Sequence, residues 1–488
     1  MPPAAAYEGL RQADSDSEDD TRPPPKRLES EPANPFTQPT YLLLLLVIVV
    51  DKADMSLVPA VFLEISQEFD AGPALLGTVT LCRGLAQAGV ALLAGPLGNR
   101  FSRVKITGAG CLLWGVATAG VGSSTTATQL LLARAVNGLG LGLVIPIAQS
   151  LVSDLFPSSK LGRAFGLLAC CSNIGGTIGA AAATSIADQT LFGGVPGWRF
   201  VFFVSAVVSC ATGLLVMAVG RDPRTDATDA PPPLSIRVAL GEMGDVWRLQ
   251  SFKVVIAQGV VGTMPWYAFS FLTLWFELLG FSHKTAAAIR MAFDIGCTCG
   301  NLIGGAILDA ATARFPDHGK ASVAQVSVGS GIAIAAVIFY AMPGASAFVF
   351  GAMFLWFGAM ISWCGSVNQS VFADVTPQRI RSTIYSLDRV LEGVVGAASA
   401  PLVGLIAEGL GFSFTGGGGS NGAAGDGANG AALGASLGGN VVVPWLLCFL
   451  AYTFLHWSYP RDRDAASRAA AAAAKARKRR RPQHRDRE

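Results

Sequence analysis

The sequence predicts an all-α membrane protein: twelve transmembrane helices in two related six-helix bundles. Three observations predict it. The 488 residues are 51% hydrophobic and only 14% charged, against roughly 25% charged in a soluble domain. The apolar residues fall in runs of about 20, enough to cross a ~30 Å hydrocarbon core as a helix. Lysine and arginine concentrate in alternate loops between those runs, the positive-inside pattern of a polytopic chain.

The first 39 residues are polar, rich in proline and acidic between Asp14 and Asp20. Such a composition buries no core, so residues 1–39 are expected as a disordered cytosolic tail. No short apolar run precedes a small-residue cleavage site, so no signal peptide is read. Apolar spans then occupy 41–63, 74–96, 104–122, 127–154, 161–187 and 198–219, a first bundle bounded at 40–220. A polar cytosolic connector, 221–253, contains Pro231-Pro232-Pro233. The second bundle, 254–459, has spans at 254–279, 285–311, 322–342, 346–373, 382–409 and 440–458.

Residues 411–440, between the last two spans, are mostly Gly, Ala, Ser and Asn, and a flexible loop is expected there. Within it, Gly434-Ala435-Ser436-Leu437-Gly438 matches a hydrolase elbow pattern. It is expected to lack the flanking strand and helix that such an elbow needs. The chain ends in a basic cytosolic tail, 460–488, with six cations between Lys475 and Arg481. That run reads as a topological anchor, with anionic-lipid binding or a trafficking signal as alternatives.

One set of loops carries Arg100, Arg103, Lys105, Lys160, Arg163, Arg221, Arg224, Arg237, Arg248, Lys253, Arg314, Lys320, Arg379 and Arg381. The alternate set carries Lys284, with Arg199 at a span border. This alternation puts both termini in the cytosol; it leaves open which membrane holds the chain.

Other function classes find little support. All nine cysteines lie in apolar runs and read as packing residues rather than a disulfide framework. Cys297 and Cys299 have no histidine near them in sequence and make a poor metal pair, so neither metal nor cofactor is expected. His283, His318, His456 and His484 lie off mid-span and far apart in sequence, which argues against an intramembrane enzyme. No Gly-x-x-x-x-Gly-Lys-Ser/Thr segment is present, so ATP-driven transport within the chain is not indicated.

An internal repeat links the halves. Gly95-Pro96-Leu97-Gly98-Asn99-Arg100 and the following Arg103 form a short basic link whose glycines suit close helix approach. Gly305-Ala306-Ile307-Leu308-Asp309 returns to part of that pattern in the second half. Gln149-Ser150 and Asp154 before Pro157 match Gln369-Ser370 and Asp374 before Pro377. Parallel repeats of this kind are an architecture of secondary transporters.

These residues resemble the major facilitator superfamily over about 41–459. The Gly95–Lys105 link is similar to the family signature between the second and third helices, with Asn99 for its Asp and Ser102 for its second Gly. Arg134, Asn137, Gly138 and Gly140 are similar to its fourth-helix pattern. Gly166, Gly175 and Gly179 follow the antiporter spacing, with Ala180 for the proline. The Asp51-Lys52 pair resembles Spinster-like transporters, although Leu141 stands where they usually carry Glu. Leu278–Thr285 and Ile384–Arg389 resemble an uncharacterised plant and algal branch.

The resemblance implies a secondary active transporter of a small organic solute, anionic, zwitterionic or lipid-like, working by alternating access. It also places the first helix at the central cavity. The expected partners are that substrate, protons or another coupling ion, and the bilayer; the chain is expected to be monomeric and to bind no nucleic acid. A reading of another class is a non-transporting sensor or scaffold that signals through its tail.

Ionisable residues within spans cost ~2.5–3.5 kcal/mol each on insertion scales and tend to be functional or paired. Asp51 and Asp54, three residues apart on one helical face, are the candidates for coupling, with Lys52 as a static partner in the alternative. Arg134, Arg83 and Asn137 are candidates for substrate contact or for holding those carboxylates. Arg290 and Asp294, and the cluster Asp388, Arg389 and Glu392, read as self-neutralising pairs or as a gate. Gly95, Asn99, Arg100, Arg103, Gly305 and Asp309 are the motif and gate candidates.

Overall fold

The structure is a computed structural model and describes residues 35–156, 158–223, 244, 247–342, 344–376, 381–413 and 422–480. In the first half, α1 (Pro39–Ala60) breaks at Val61 and resumes as α2 (Phe62–Phe69). Then come α3 (Pro73–Arg100), α4 (Arg103–Ser123), α5 (Ala127–Leu155), α6 (Ser158–Ile186) and α7 (Gly197–Val219). A small antiparallel ribbon, β1 (Thr190–Leu191) with β2 (Val195–Pro196), joins α6 to α7. In the second half, α8 (Gln250–Ala268) and α9 (Leu272–Leu278) make one interrupted span. The rest is α10 (His283–Arg314), α11 (Gly319–Ala336), the pair α12 (Ala347–Ile361) and α13 (Cys364–Val375), α14 (Arg381–Gly409) and α15 (Gly422–Arg480).

The sequence marks many of these starts. Pro39 and Pro73 open α1 and α3, where a missing N–H costs nothing. Thr126, Ser282 and Ser346 accept from the backbone N–H of Gln129, Thr285 and Val349 as N-caps, typically worth about 1 kcal/mol each. Among the described residues, 11 helical segments are long and apolar enough to cross a membrane. The remaining span, α1, is 22 residues long, and Asp51, Lys52 and Asp54 lower its apolar content. The chain is thus an all-α multi-pass membrane protein.

One sequence expectation is overturned. Residues 422–440 of the expected flexible loop 411–440 are the start of α15. Leu433, Leu437, Val441 and Trp445 recur every fourth residue and are buried. Ser436 Oγ donates to the Val403 carbonyl of α14 at 2.6 Å. Glycines on this helix let aromatic rings close in: a Cβ on Gly438 would stand 2.6 Å from the Tyr340 hydroxyl. Packing against neighbours outweighs the ~1 kcal/mol per glycine that weakens an isolated helix. Residues 414–421, the acidic tail 1–34, most of the connector 221–253 and the final basic residues 481–488 lie outside the described residues.

One apolar cluster, around Trp114 and Leu151, lies within the first half, and a larger one runs through both halves, joining Phe62 and Leu76 to Phe271 and Trp275. Glycines set the helix spacing in the first half: a Cβ on Gly138 of α5 would stand 2.3 Å from the Arg83 carbonyl of α3. Backbones that close pack by van der Waals contact, the main attraction available between helices in lipid. The halves meet where α3 runs beside α14 and α6 beside α10.

Candidate functional site

The first bundle encloses a group of buried polar side chains. Asp54 is 0% exposed. Its Oδ1 accepts from Thr118 of α4 at 2.6 Å and from Ser205 of α7 at 3.4 Å, and its Oδ2 accepts from Asn137 Nδ2 of α5 at 3.0 Å. Asn137 Nδ2 also reaches Thr118 Oγ1 at 3.0 Å. This carboxylate therefore ties α1 to three other helices of its own half, and it points into that bundle rather than into the space between the halves. The resemblance places α1 at the central cavity; of its charged side chains Asp51 and Asp54 are buried and Lys52 is 35% exposed.

Asp51, one turn away, is arranged differently. It is 1% exposed, and neither carboxylate oxygen has a hydrogen-bond donor among the described residues. Its nearest cation is Lys52 Nζ at 3.7 Å. Arg83 and Arg134 are 5% and 2% exposed, and each keeps two guanidinium nitrogens buried without a hydrogen-bond acceptor among the described residues. Arg134 lies in the combined field of Arg83 and Asp54. Asp54 and the two guanidiniums thus share one low-dielectric interior without closing into direct pairs, while Asp51 stands beside Lys52. Such a group is costly to bury.

In the second bundle the buried or paired charges fall on α10 and α14. Arg290 pairs with Asp294 along α10, Nη2 to Oδ1 at 3.2 Å, and donates to the Phe269 carbonyl at 2.9 Å. Asp388 and Glu392 are both buried on α14, and Glu392 lies against Gly259 of α8. The side chains of Arg389 and Asn99 lie outside the described ones. Gly95 is in α3 and Arg100 is exposed at its end. Asp309 is exposed, and a Cβ on Gly305 would meet nothing within 4 Å. Gly305 thus makes none of the close helix approach that its pattern suggests.

The basic ends carry two corresponding networks. Arg103 Nη2 meets Asp222 Oδ1 at 2.7 Å and its Nη1 meets Asp154 Oδ2 at 2.7 Å and Ser150 Oγ at 3.0 Å. Lys320 bonds Asp374 and, at 3.2 Å, the Ser370 carbonyl; Tyr459 also donates to Asp374. The repeated Gln-Ser-Asp segments are thereby read in three dimensions as anchors for a cation at the start of the preceding helix. Sequence reading did not find those cations in this role, since each lies about 50 residues from its aspartate.

At the opposite end the halves touch. Glu408 Oε1 of α14 accepts from Ala74 N in the first turn of α3 at 3.0 Å. The rings of Phe62 and Phe271 are 5.1 Å apart. His283 at the start of α10 contacts Glu64 of α2 and Glu277 of α9. Nearer the middle, Asn173 Nδ2 of α6 donates to Thr298 Oγ1 of α10 at 3.1 Å. Also missed from sequence, His318 and His456 face each other through Nδ1 at 3.2 Å, across α11 and α15.

Two six-helix halves, charged residues buried at mid-span and a cross-half closure at one end define a membrane protein of the two-bundle transporter class. A family model described as the Major Facilitator Superfamily matches residues 43–401. The chain belongs to the Major Facilitator Superfamily. It is 25% identical over 397 residues to the cis,cis-muconate transport protein of Acinetobacter baylyi, covering 76% of this chain and 87% of that one. It is 33% identical over 147 residues to the uncharacterized MFS-type transporter Rv1250 of Mycobacterium tuberculosis, covering 30% and 24%. With the 4-hydroxybenzoate transporter PcaK of Pseudomonas aeruginosa it shares 28% over 148 residues, covering 30% and 33%. These last two matches span a third or less of the relatives' own length.

Among solved structures, a bacterial homologue of the human lysosomal transporter Spinster, in its inward-facing and unoccupied conformation, superposes with a TM-score of 0.76. The identity is 18%, over 87% of this chain and 98% of that one. A D-xylose-proton symporter superposes at 0.66 with 13% identity, over 86% and 97%. Both likenesses describe the fold.

Proposed function

We propose that this chain is a secondary transporter of a small organic solute, working by alternating access between its two bundles, with Asp51 as the group that exchanges a proton. The observation that carries the coupling residue is the contrast between two neighbouring carboxylates. Asp54 is held by three donors and serves as a fixed tie. Asp51 is buried without a hydrogen-bond donor among the described residues and has only the partly exposed Lys52 beside it, which leaves it as the carboxylate for a transported proton or cation. In this reading the basic-loop side is cytosolic, both termini with it, and the chain acts as a monomer in the bilayer. The domain limits 40–220 and 254–459 belong to the same reading.

Names of the relatives, among them transporters of muconate and 4-hydroxybenzoate, support a small organic anion as the first solute class to test. The purified protein in vesicles decides it. We expect uptake of an organic anion that responds to a pH gradient, with the response lost in Asp51→Asn and normal protein yield. Flux absent for anionic, zwitterionic and lipid-like solutes alike, with an active tail-dependent signal in cells, would instead favour a sensor.

A further inference from the structure

We propose that Glu64, His283 and Glu277 form a proton-binding clasp that closes the end of the molecule opposite the basic loops, taking up a proton as the halves meet and releasing it as they part. This rests on the alternating-access reading above, and it adds a proton site far from Asp51.

The geometry is a histidine held between two carboxylates from different halves. His283 Nδ1 lies 2.8 Å from Glu277 Oε1, and its Nε2 lies 3.6 Å from Glu64 Oε1. Glu277 belongs to the same half as His283, whereas Glu64 belongs to the other, so the His283–Glu64 contact exists only while this end is shut. The glutamate side chains are only 10% and 4% exposed, and each keeps its Oε2 buried with no hydrogen-bond partner among the described residues. Two orphaned carboxylate oxygens beside one imidazole ask for a proton: the ring neutralises one carboxylate and leaves the second charge uncompensated. The Phe62–Phe271 contact, whose Phe62 lies two residues before Glu64 on α2, joins the halves at the same end.

Other charges near the cluster do not supply the missing cation. Asp188, after α6, adds a further negative field. On α2 itself, Glu68 is committed to Arg199 and to Trp198 Nε1 of α7. Glu408 of α14 is spent on Ala74 N, and the first turn of α3 carries no acid. Lys284 beside His283 is exposed. Burial, with the Glu277 carboxylate as the next cause, pushes the Glu64 carboxyl up from 4.5 to about 7. Parting the halves hydrates Glu64 and returns it toward its ordinary value. Closing therefore binds a proton. Between about pH 4.5 and 7 the closed form gains as pH falls, by at most about tenfold per pH unit for one proton.

The test is a distance measurement on the full chain in lipid nanodiscs. Spin labels are placed at Gln67→Cys and Phe348→Cys, one on each half at this end, with Cys170 and Cys299 replaced by Ser. We expect the short-distance population to rise several-fold from pH 8 to pH 5. In Glu64→Gln it should stay closed and lose its pH response, and in His283→Gln it should shift toward open. Infrared difference spectra of the wild-type protein should show a protonated carboxyl band growing in as pH falls through 7, absent in Glu64→Gln. A wild-type pH response that survives in Glu64→Gln, or no such band, overturns the clasp. A flat distance profile in a protein that still transports overturns the clasp alone. A pH-dependent distance in a protein that transports nothing upholds the clasp and removes the transport reading.

Discussion

Arg103 and Lys320 occupy the same place in the two halves. Each is buried at the start of the third helix of its half, and each binds an aspartate at the end of the next span, Asp154 or Asp374. The repeat that shows as Gln-Ser-Asp in the sequence is thus kept as a working contact on both sides. The halves differ in strength. Arg103 has a second carboxylate, Asp222, on which it places Nη2, Nε and its own backbone N–H; Asp462, which ends the last span, instead takes Ser251 N at 2.7 Å.

Arg103→Ala should therefore be among the most damaging single changes outside the transport route. Removing one member of a buried ion pair costs about 3–5 kcal/mol. Thermal unfolding in detergent should show a large drop in midpoint. Arg103→Lys should fall between, since an ammonium cannot serve two carboxylates with the planar fork of a guanidinium. Lys320→Ala should cost less than Arg103→Ala, because it strands only Asp374, which is 36% exposed, whereas Arg103→Ala also strands Asp222 at 4%.

Asp51→Asn and Asp54→Asn should separate. The first leaves folding intact and abolishes the pH dependence of transport, read by flux assays across a pH series. The second leaves one acceptor oxygen where two took the hydrogen bonds of Thr118, Ser205 and Asn137, and should cost about 1–3 kcal/mol for the bonds that cannot all be kept. Lower yield and midpoint with Asp54→Asn, and normal values with Asp51→Asn, are the expected pattern. Unchanged pH dependence in Asp51→Asn removes this residue from coupling.

Closure opposite the basic loops depends on bare backbone. A Cβ on Gly77 would stand 2.4 Å from the Ala400 carbonyl, and one on Gly404 would stand 2.2 Å from Ala74 N. Gly77→Val should disfavour that closed packing by about 1–3 kcal/mol, roughly a 5- to 150-fold shift toward the form open at that end. Labelling of a cysteine placed at Phe62 by a membrane-impermeant reagent should rise accordingly. The change spares the buried polar group, so solute binding should persist.

Leu437→Ser should behave as a core mutation. Leu437 is 0% exposed, and losing its contacts should cost about 2–5 kcal/mol. A surface loop at this position would tolerate the change within about 0.5 kcal/mol. Midpoints of thermal unfolding distinguish the two outcomes.

Span number and alternation were legible because apolar length and loop charge are properties of local sequence. The Gly-rich stretch was misread for a physical reason. Its glycines weaken a helix in isolation, while the signal that it packs lies in Leu433, Leu437 and Val441 at a spacing of four, diluted by the small residues between them. The candidate carboxylates were visible as charges in an apolar run, but their roles were not. Thr118, Asn137 and Ser205 lie 64, 83 and 151 residues from Asp54, and nothing in a one-dimensional pattern says which of two acids they will choose. His283 was legible only as a histidine off mid-span, because its partners, Glu64 and Glu277, sit at the ends of two other spans.

The last helix has a mechanical consequence. At 59 residues, α15 is ~88 Å long at 1.5 Å per residue, nearly three times the thickness of a ~30 Å hydrocarbon core. Its first part is wedged among α8, α11 and α14, and its last part extends past Tyr459 without a break up to Arg480. Residues 461–480 therefore reach ~30 Å beyond the last span on the basic-loop side, and Arg463 near their root ties the helix to the turn between α10 and α11 through Asp317 and the Pro316 carbonyl.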